Sequence, residues 1–432
     1  MNHVDIDPLS ILPPRQYKNQ PEYPGIGHCN VYQPMKQHYC KQYTVTTECY
    51  CIHHNTKSDH KQFKHKLICE YCTTLIQPYK YQSHILKCTA KQRIDTTQSQ
   101  LYYVAGINTG DNYINNIRSM GHNDLPVDDR LNHVLQLKYK LDEIWRHLQL
   151  PRYEQFNISA GTTNNELYSK SSTKRHTVQN HALIDIMNEY GMIHQSNVIV
   201  EAGAGRAMLL NDIAHAYMNN NYDGVNDQIL NLVAIDRDAH QNSADGQLLK
   251  NSTNIDITRC RIDLRDVVLH NIPIIEELRN TVVCAKHCCG VATDLTLRAC
   301  INTNQHDTDV HGIFIATCCH HRCNYNDYCN PSNLTQHHIT VNEFQLMLKL
   351  TSWYTCHFTK HNRQHGTTDS TINSLHNDIK RDIGWRCKYL IDLGRCNFLQ
   401  QNGYRVQLVP FVSRDISLEN ICIVAIKNQA AT

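Results

Sequence analysis

Asn197–Arg206, NVIVEAGAGR, is the stretch that decides the fold. Its apolar run Val198–Val200 leads into an acid and two glycines, Glu201, Gly203 and Gly205. Further on, a second apolar run, Leu232–Ile235, ends in another acid, Asp236. Strand, glycine-rich turn, helix, strand, acid is the order in which an open α/β sheet presents an adenosine-bearing cofactor to the carboxyl ends of its strands.

The form of the turn narrows the cofactor. A dinucleotide turn reads G-x-G-x-x-G, because the pyrophosphate needs helix N–H donors and a third glycine for close packing. Here Met208 stands at that third position. An acid two residues before the first glycine gives E-x-G-x-G, the form found in S-adenosylmethionine-dependent methyltransferases, whose cofactor has no phosphate to cradle. Without a Cβ, Gly203 and Gly205 let the backbone approach the cofactor. Asp236 is expected to accept from the ribose hydroxyls, and Asp263, in RIDLRD, to face the adenine edge. Glu201 and Arg206 are counted with them as cofactor-binding residues. A dinucleotide site is the weaker alternative.

Working outward, the expected strands are Asn197–Glu201, Leu230–Ile235, Arg259–Asp263, Thr281–Ala285, Gly312–Thr317, Arg405–Val409 and Ile421–Ile426. Helical stretches such as Met208–Met218 and Val341–Leu350 fill most gaps. The last two strands are joined by a loop too short for a crossover helix, which predicts an antiparallel pair. The fold class is therefore α/β, a Rossmann-like sheet ending in an antiparallel hairpin. Leu131, Val134, Leu135, Leu141, Ile144, Trp145 and Leu148 recur at helical spacing between Pro126 and Pro151, predicting an amphipathic connector helix.

Composition bounds the rest. The chain has 432 residues, 41% of them apolar, which suits two or three folded domains. It shows no signal peptide and no run of the roughly 18 apolar residues that a membrane span needs, so an intracellular, membrane-free protein is expected. Twenty cysteines without an export signal point to reduced thiols and metal ligands. A net charge of +2 gives no global basic signature, although the first 100 residues hold twelve Lys and Arg against seven Asp and Glu.

Seven cysteines fall within residues 28–92. Cys29, Cys40, Cys51 and His54 form one candidate zinc set, with Cys49, His53 and His38 as rival ligands. Cys69, Cys72, His84 and Cys88 form a second, spaced C-x2-C-x11-H-x3-C. Modules this small bury little core, so bound metal is expected to supply most of their folding free energy. The predicted organisation is a loose segment over 1–27, zinc modules over 28–56 and 57–95, a helical connector over 96–170 and the Rossmann-like domain over 171–432.

At the ends of the fourth and fifth expected strands lie Lys286, His287, Cys288 and Cys289, and then Cys318, Cys319, His320, His321 and Cys323. These loops border the reactive end of a cofactor bound at this edge. The second run is open between a metal site, buried thiol packing and substrate contact.

KHCCGVATDLTLR (Lys286–Arg298), IATCCHHRC (Ile315–Cys323), SWYT (Ser352–Thr355), IDLGR (Ile391–Arg395) and SLEN (Ser417–Asn420), with KRHTVQNHAL (Lys174–Leu183) upstream, together resemble the eukaryotic tRNA 2′-O-methyltransferases that modify nucleotide 4 of the acceptor stem. The two N-terminal clusters are similar to that family's CCCH and CHHC-type fingers. This chain differs in having Cys288 where the family usually has Leu, Ala207 where Gly is usual, and Cys72 where His is common. The resemblance implies methyl transfer from S-adenosylmethionine to a ribose 2′-hydroxyl, two structural zinc ions and tRNA as partner, including tRNAs for proline, glycine and histidine, with no obligate protein partner evident.

Lys286 and His287 are the expected catalytic pair. A lysine beside a cationic cofactor has its charged form disfavoured, and a histidine starts near the required basicity. Lys61, Lys64, Lys66, Lys80 and Lys87 are expected to help grip the acceptor arm. Two alternatives remain: a related methyltransferase acting on another RNA or on protein, and a zinc-finger RNA-binding adaptor with an inactive methyltransferase domain.

Overall fold

The computed structural model describes residues 29, 32–33, 38–39, 67–110, 127–151, 172–220, 229–246, 248, 254–303, 310–355 and 375–428. The chain forms two units, residues 1–100 and residues 101–432.

In the first unit, β1 (Tyr32–Gln33) pairs antiparallel with β2 (His38–Tyr39), and β3 (Leu67–Ile68) with β4 (Leu75–Ile76). Helices α1 (Pro78–Lys87) and α2 (Thr89–Gln98) follow. Pro78 opens α1 at a position where its missing N–H costs nothing. Among the described residues, the apolar centre around them is Cys69, Ile76, Cys88 and Ala90 with Tyr71, Tyr81 and Ile85 partly buried against it, too little to hold a fold by burial alone.

The second unit begins with residues 101–110, laid along residues 263–268. Asn108 is fully buried, and its amide donates to the carbonyls of Leu264 (2.8 Å) and Val267 (2.7 Å). Next come α3 (Val127–Leu148), α4 (Ser172–Glu189), α5 (Met192–Gln195), β5 (Val198–Ala202), α6 (Met208–Asn220), β6 (Leu230–Ile235), β7 (Ile255–Cys260), α7 (Pro273–Leu278), β8 (Thr281–Ala285), α8 (Val291–Thr303) and β9 (Val310–Ala316). The chain then runs through α9 (Pro331–Gln336), α10 (Val341–Leu350), α11 (Ser352–Thr355) and α12 (Asn377–Gln401) to β10 (Tyr404–Pro410) and β11 (Ile421–Lys427).

Seven strands make one sheet in the order β10-β11-β9-β8-β5-β6-β7. The five from β5 to β9 are parallel, while β11 runs antiparallel to both β9 and β10. The final hairpin and the α/β class agree with the sequence reading. Every residue of β5 is buried, as a strand covered on both faces requires. Alternation sorts its side chains: Ile199 joins the core under α4 and α6, whereas Val198, Val200 and Ala202 join the core under α7 and α8. Because β6 lies on one side of β5 and β8 on the other, the strand order reverses at β5, and a crevice opens at the carboxyl ends there.

One strand departs from expectation. β7 spans Ile255–Cys260, whereas the sequence reading placed it at Arg259–Asp263. As an edge strand it alternates buried and solvent-facing residues, and Ile262 and Leu264 are buried in the following loop, beneath residues 101–110.

A third core joins α3 to α10 and α12. Trp145 of α3 meets Trp385 of α12 edge-on at 5.6 Å. Of the apolar series read along α3, Val134, Leu141, Ile144 and Trp145 are buried, together with Leu137, while Leu135 and Leu148 face outward.

Candidate active site

The glycine turn is built as its residues require. Gly203 and Gly205 adopt φ of +66° and +52°, where a side chain is strained. The Ala204 amide donates to the Ile235 carbonyl at the end of β6 (2.9 Å), and the Gly205 amide donates to Asp236 Oδ2 (2.8 Å). From the end of β7, Arg259 donates to the Gly205 carbonyl (3.0 Å) while pairing with Asp245. Arg259 was not singled out from the sequence. Its placement fastens the turn to two neighbouring strands.

The expected cofactor residues fall into two groups. Gly203, Gly205, Asp236 and Asp263 gather at the sheet's carboxyl edge. Asp236 Oδ1 accepts from the Asp238 amide (2.8 Å), and Asp263 Oδ1 from the Arg265 amide (2.9 Å), so each aspartate is oriented by its own loop while remaining partly exposed. Glu201 and Arg206 point elsewhere. Glu201 is buried beneath the turn, its Oε2 3.4 Å from the Leu210 amide, one of the donors left unpaired at the start of α6. Burial pushes its carboxyl up to about 8, against the lowering effect of the Leu210 amide and of Lys286. Arg206 is exposed and donates through Nε and a terminal nitrogen to the Asn242 carbonyl (3.2 and 3.1 Å), bracing the loop after β6.

Lys286 follows β8 and is almost fully buried. Its Nζ donates to the His176 carbonyl (3.1 Å) and to Asn180 Oδ1, both on α4, and Asn180 in turn donates to Asp212 Oδ2 (2.7 Å). Burial lowers the ammonium to about 8, although Glu201 and Asp212 favour the charge. His287 presents an exposed ring that meets His176 edge-on at 5.4 Å. Its protonation is disfavoured, first by desolvation on the side packed against the protein and then by Lys286 and His176.

Behind this edge lies a buried polar network. Arg395 of α12 pairs with Asp294 of α8 (2.6 Å) and Asp392 (2.8 Å), and donates to the Gly290 carbonyl (3.2 Å) and the Cys323 sulfur (3.0 Å). Asp392 Oδ2 accepts from Thr317 (2.9 Å) and pairs with His320 Nε2 (2.9 Å). Lys388 lies 3.0 Å from His320 Nδ1 and pairs with Glu419. The His320 hydrogen bond and the Arg395 and Lys388 charges hold the Asp392 carboxyl far below the usual carboxylate range. The network ties the loops after β8 and β9 to α12 and to the segment before β11.

A protein-family model, Methyltransferase TRM13, matches residues 178–426, more than half of the chain. The chain belongs to the TRM13 methyltransferase family. It is 27% identical to the "tRNA:m(4)X modification enzyme TRM13" of Vanderwaltozyma polyspora, across 73% of this chain and 70% of the relative. The Kluyveromyces lactis enzyme of the same name is 24% identical, across 92% of this chain and 95% of its own. The Homo sapiens "tRNA:m(4)X modification enzyme TRM13 homolog" is 21% identical, across 95% and 97%. Among solved structures, the plantazolicin methyltransferase BpumL aligns with 69% of this chain and 99% of its own at 10% identity, with a TM-score of 0.28, a likeness too distant to bear on the chemistry.

The motifs quoted from the sequence meet in this TRM13-family fold. KHCCGVATD contributes Lys286 and Asp294, IATCCHHRC contributes Thr317 and His320, IDLGR contributes Asp392 and Arg395, and SLEN contributes Glu419. The network itself went unread. Its signal was a run of charges, Lys388, Asp392 and Arg395, spaced on one face of α12 among the buried Cys387, Leu390, Ile391 and Cys396.

In the first unit, Cys69, Cys72, His84 and Cys88 come together, with all four ligand atoms within 4.8 Å of one another. Cys69 and Cys88 sulfurs are 3.8 Å apart, and Cys72 sulfur is 3.3 Å from His84 Nε2. A tetrahedral zinc with bonds of about 2.3 Å sets sulfur–sulfur edges of ~3.8 Å, so the donor set fits that ion. Cys29 is buried; Cys40, Cys51 and His54, like Lys61, Lys64 and Lys66, lie outside the described residues. No helix among the described residues is long and apolar enough to cross a membrane.

Proposed function

We propose that this TRM13-family chain transfers a methyl group from S-adenosylmethionine to the ribose 2′-hydroxyl of nucleotide 4 in the acceptor stem of tRNA. The observation that carries the reading is the family match, with relatives named tRNA:m(4)X modification enzymes aligned along nearly the whole chain.

The crevice fits a donor of this kind. A Cβ added to Gly205 would meet no atom within 4 Å, and one added to Gly203 would meet only the Cys288 Cα at 3.9 Å, so the turn faces open space. Gly203 and Gly205 would admit the donor, Asp236 its ribose and Asp263 its adenine. Glu201 and Arg206 support the site by holding α6 and the loop after β6. When bound, S-adenosylmethionine supplies a sulfonium methyl already activated for displacement.

The protein must align the ribose oxygen and take its proton. Alignment contributes several kcal/mol, up to about 7–11 in ideal cases, and a placed base about 10²–10⁴-fold in rate. Lys286 suits the second task. As a neutral amine it carries two hydrogens, which the His176 carbonyl and Asn180 Oδ1 accept. Its lone pair then remains for the hydroxyl proton, which passes to Nζ as the oxygen takes the methyl. His287, a neutral imidazole at the exposed edge, orients the hydroxyl. An A-form stem displays its 2′-hydroxyls in a wide, shallow minor groove, which brings the reacting group to the protein without unwinding. Structural zinc belongs on Cys69, Cys72, His84 and Cys88, and a second ion on Cys29, Cys40, Cys51 and His54.

The test is methylation of unmodified tRNAs for proline, glycine and histidine by the purified chain, mapped by partial alkaline hydrolysis. A 2′-O-methyl group blocks cleavage, so the ladder should lose the band 3′ of nucleotide 4. Methylation of a base, of another nucleotide, or of none of the three tRNAs would overturn the assignment.

A further inference from the structure

A second cluster of metal-type ligands stands inside the catalytic unit. The sulfurs of Cys289, Cys318 and Cys319 lie within 4.8 Å of one another. Cys289 comes from the loop after β8 and the other two from the loop after β9. Cys318 is buried, while Cys289 and Cys319 are partly exposed.

The backbone is arranged to make this convergence. Adjacent residues of an extended chain point to opposite sides. Cys319 instead takes a left-handed conformation, φ 49° and ψ 43°, which brings its sulfur to the same side as that of Cys318. A non-glycine residue in that region is strained, and such strain persists where the surroundings fix it. The two loops are also clamped together. The Gly290 amide donates to the Cys318 carbonyl (3.2 Å), and a Cβ on Gly290 would stand 2.6 Å from the Arg322 backbone.

Two further ligand types of the same run are committed elsewhere. His320 is held between Asp392 and Lys388, and the Cys323 sulfur accepts from Arg395. The ligand set is therefore not the contiguous Cys318–Cys323 run but a triad across two strands, which spacing along one segment does not reveal.

We propose that Cys289, Cys318 and Cys319 bind a zinc ion at the carboxyl ends of β8 and β9, with water in the fourth position. Three thiolates select a soft or borderline ion, and three protein ligands plus water is the arrangement of an open zinc site. Cys289 and Cys318 sulfurs are 3.1 Å apart, so the ion moves them outward toward the ~3.8 Å edge of a zinc tetrahedron. Bound there, zinc cross-links the loop carrying Lys286 and His287 to the loop carrying His320, which fixes the edge of the crevice where the ribose must dock.

Metal analysis of the full-length protein, purified without chelator, tests this. Cys289→Ser and Cys318→Ser should each lower zinc by one equivalent per chain. Because either variant can misfold, wild-type protein is also alkylated with iodoacetamide before and after zinc is stripped with 1,10-phenanthroline. Cys289, Cys318 and Cys319 should label at least fivefold faster after stripping, while the buried Cys300 and Cys387 stay unlabelled and report an intact core. Unchanged zinc in both folded variants, equal labelling before and after stripping, or a native Cys289–Cys318 disulfide would each overturn the proposal.

Discussion

Two residues beneath the crevice have acid–base properties set by burial. Glu201 has its carboxyl raised from the usual 4.5 to about 8. A carboxyl raised in the folded state stabilises the protein below its unfolded value and loses that contribution as pH climbs through the folded one, here between 4.5 and 8. The slope is at most about 1.4 kcal/mol per pH unit. Glu201→Gln keeps an acceptor for Leu210 and cannot ionise, so its urea midpoint should stay flatter between pH 5 and 8 than that of wild type. A parallel fall in both proteins would show that Glu201 titrates normally. The sequence displayed an acid two residues before Gly203, but not that its side chain turns down onto α6; that follows from packing beneath the turn.

Lys286 makes the complementary case. Burial lowers it from 10.5 to about 8. The facing groups are His176 and Asn180 on α4, Asp212 on α6, Glu201 on β5 and His287 beside it. A base works when neutral, so the single-turnover rate should fall by roughly tenfold per pH unit below 8 and level off above it. Lys286→Met should abolish that dependence and lower the rate at least 10²-fold, with donor affinity retained by calorimetry. An unchanged profile would remove Lys286 from proton transfer. The lysine was legible as a residue at a strand's carboxyl end. Its two acceptors were not, because Asn180 lies 106 residues away in the chain.

At the scale of elements, α12 determines how the crevice edge is held. Arg395 is completely buried between Asp294 and Asp392. Removing one partner of a buried ion pair leaves uncompensated charge and costs about 3–5 kcal/mol. Arg395→Met should therefore lower unfolding stability by that amount in chemical denaturation. Arg381→Ala, on the same helix and paired with exposed Asp378, should cost under about 0.5 kcal/mol. Equal, small losses would mean the network is not a structural brace. Four of the parallel strands, β5, β6, β8 and β9, were readable because each is a short apolar run covered on both faces. β7 was misplaced because an edge strand alternates, and Ile262, which falls within the expected strand, is buried with Leu264 in the following loop beneath residues 101–110.

For the whole molecule, the division of labour between the two units is the point open to experiment. The second unit contains the sheet, the crevice and three apolar cores of its own. Among its described residues the first has a small apolar core and a preformed four-ligand cluster, and its α1 exposes Lys80, Lys87 and, at 78%, Tyr79. A module held by metal with a basic, aromatic surface suits a nucleic-acid grip, because pairing with phosphates dominates affinity and releases counterions. A chain beginning at Leu101 should bind S-adenosylmethionine as the full chain does, yet bind tRNA at least tenfold more weakly. For every phosphate that the shortened chain no longer neutralises, the dependence of log affinity on log salt should flatten by a little under one unit, about 0.7–0.9. The double variant Lys80→Glu with Lys87→Glu, in the full chain, localises the effect. It should weaken tRNA binding and flatten the salt slope while leaving zinc content and donor affinity unchanged. If it binds tRNA with wild-type affinity and salt slope, α1 is not part of the grip, and if the shortened chain does so too, recognition resides wholly in the second unit.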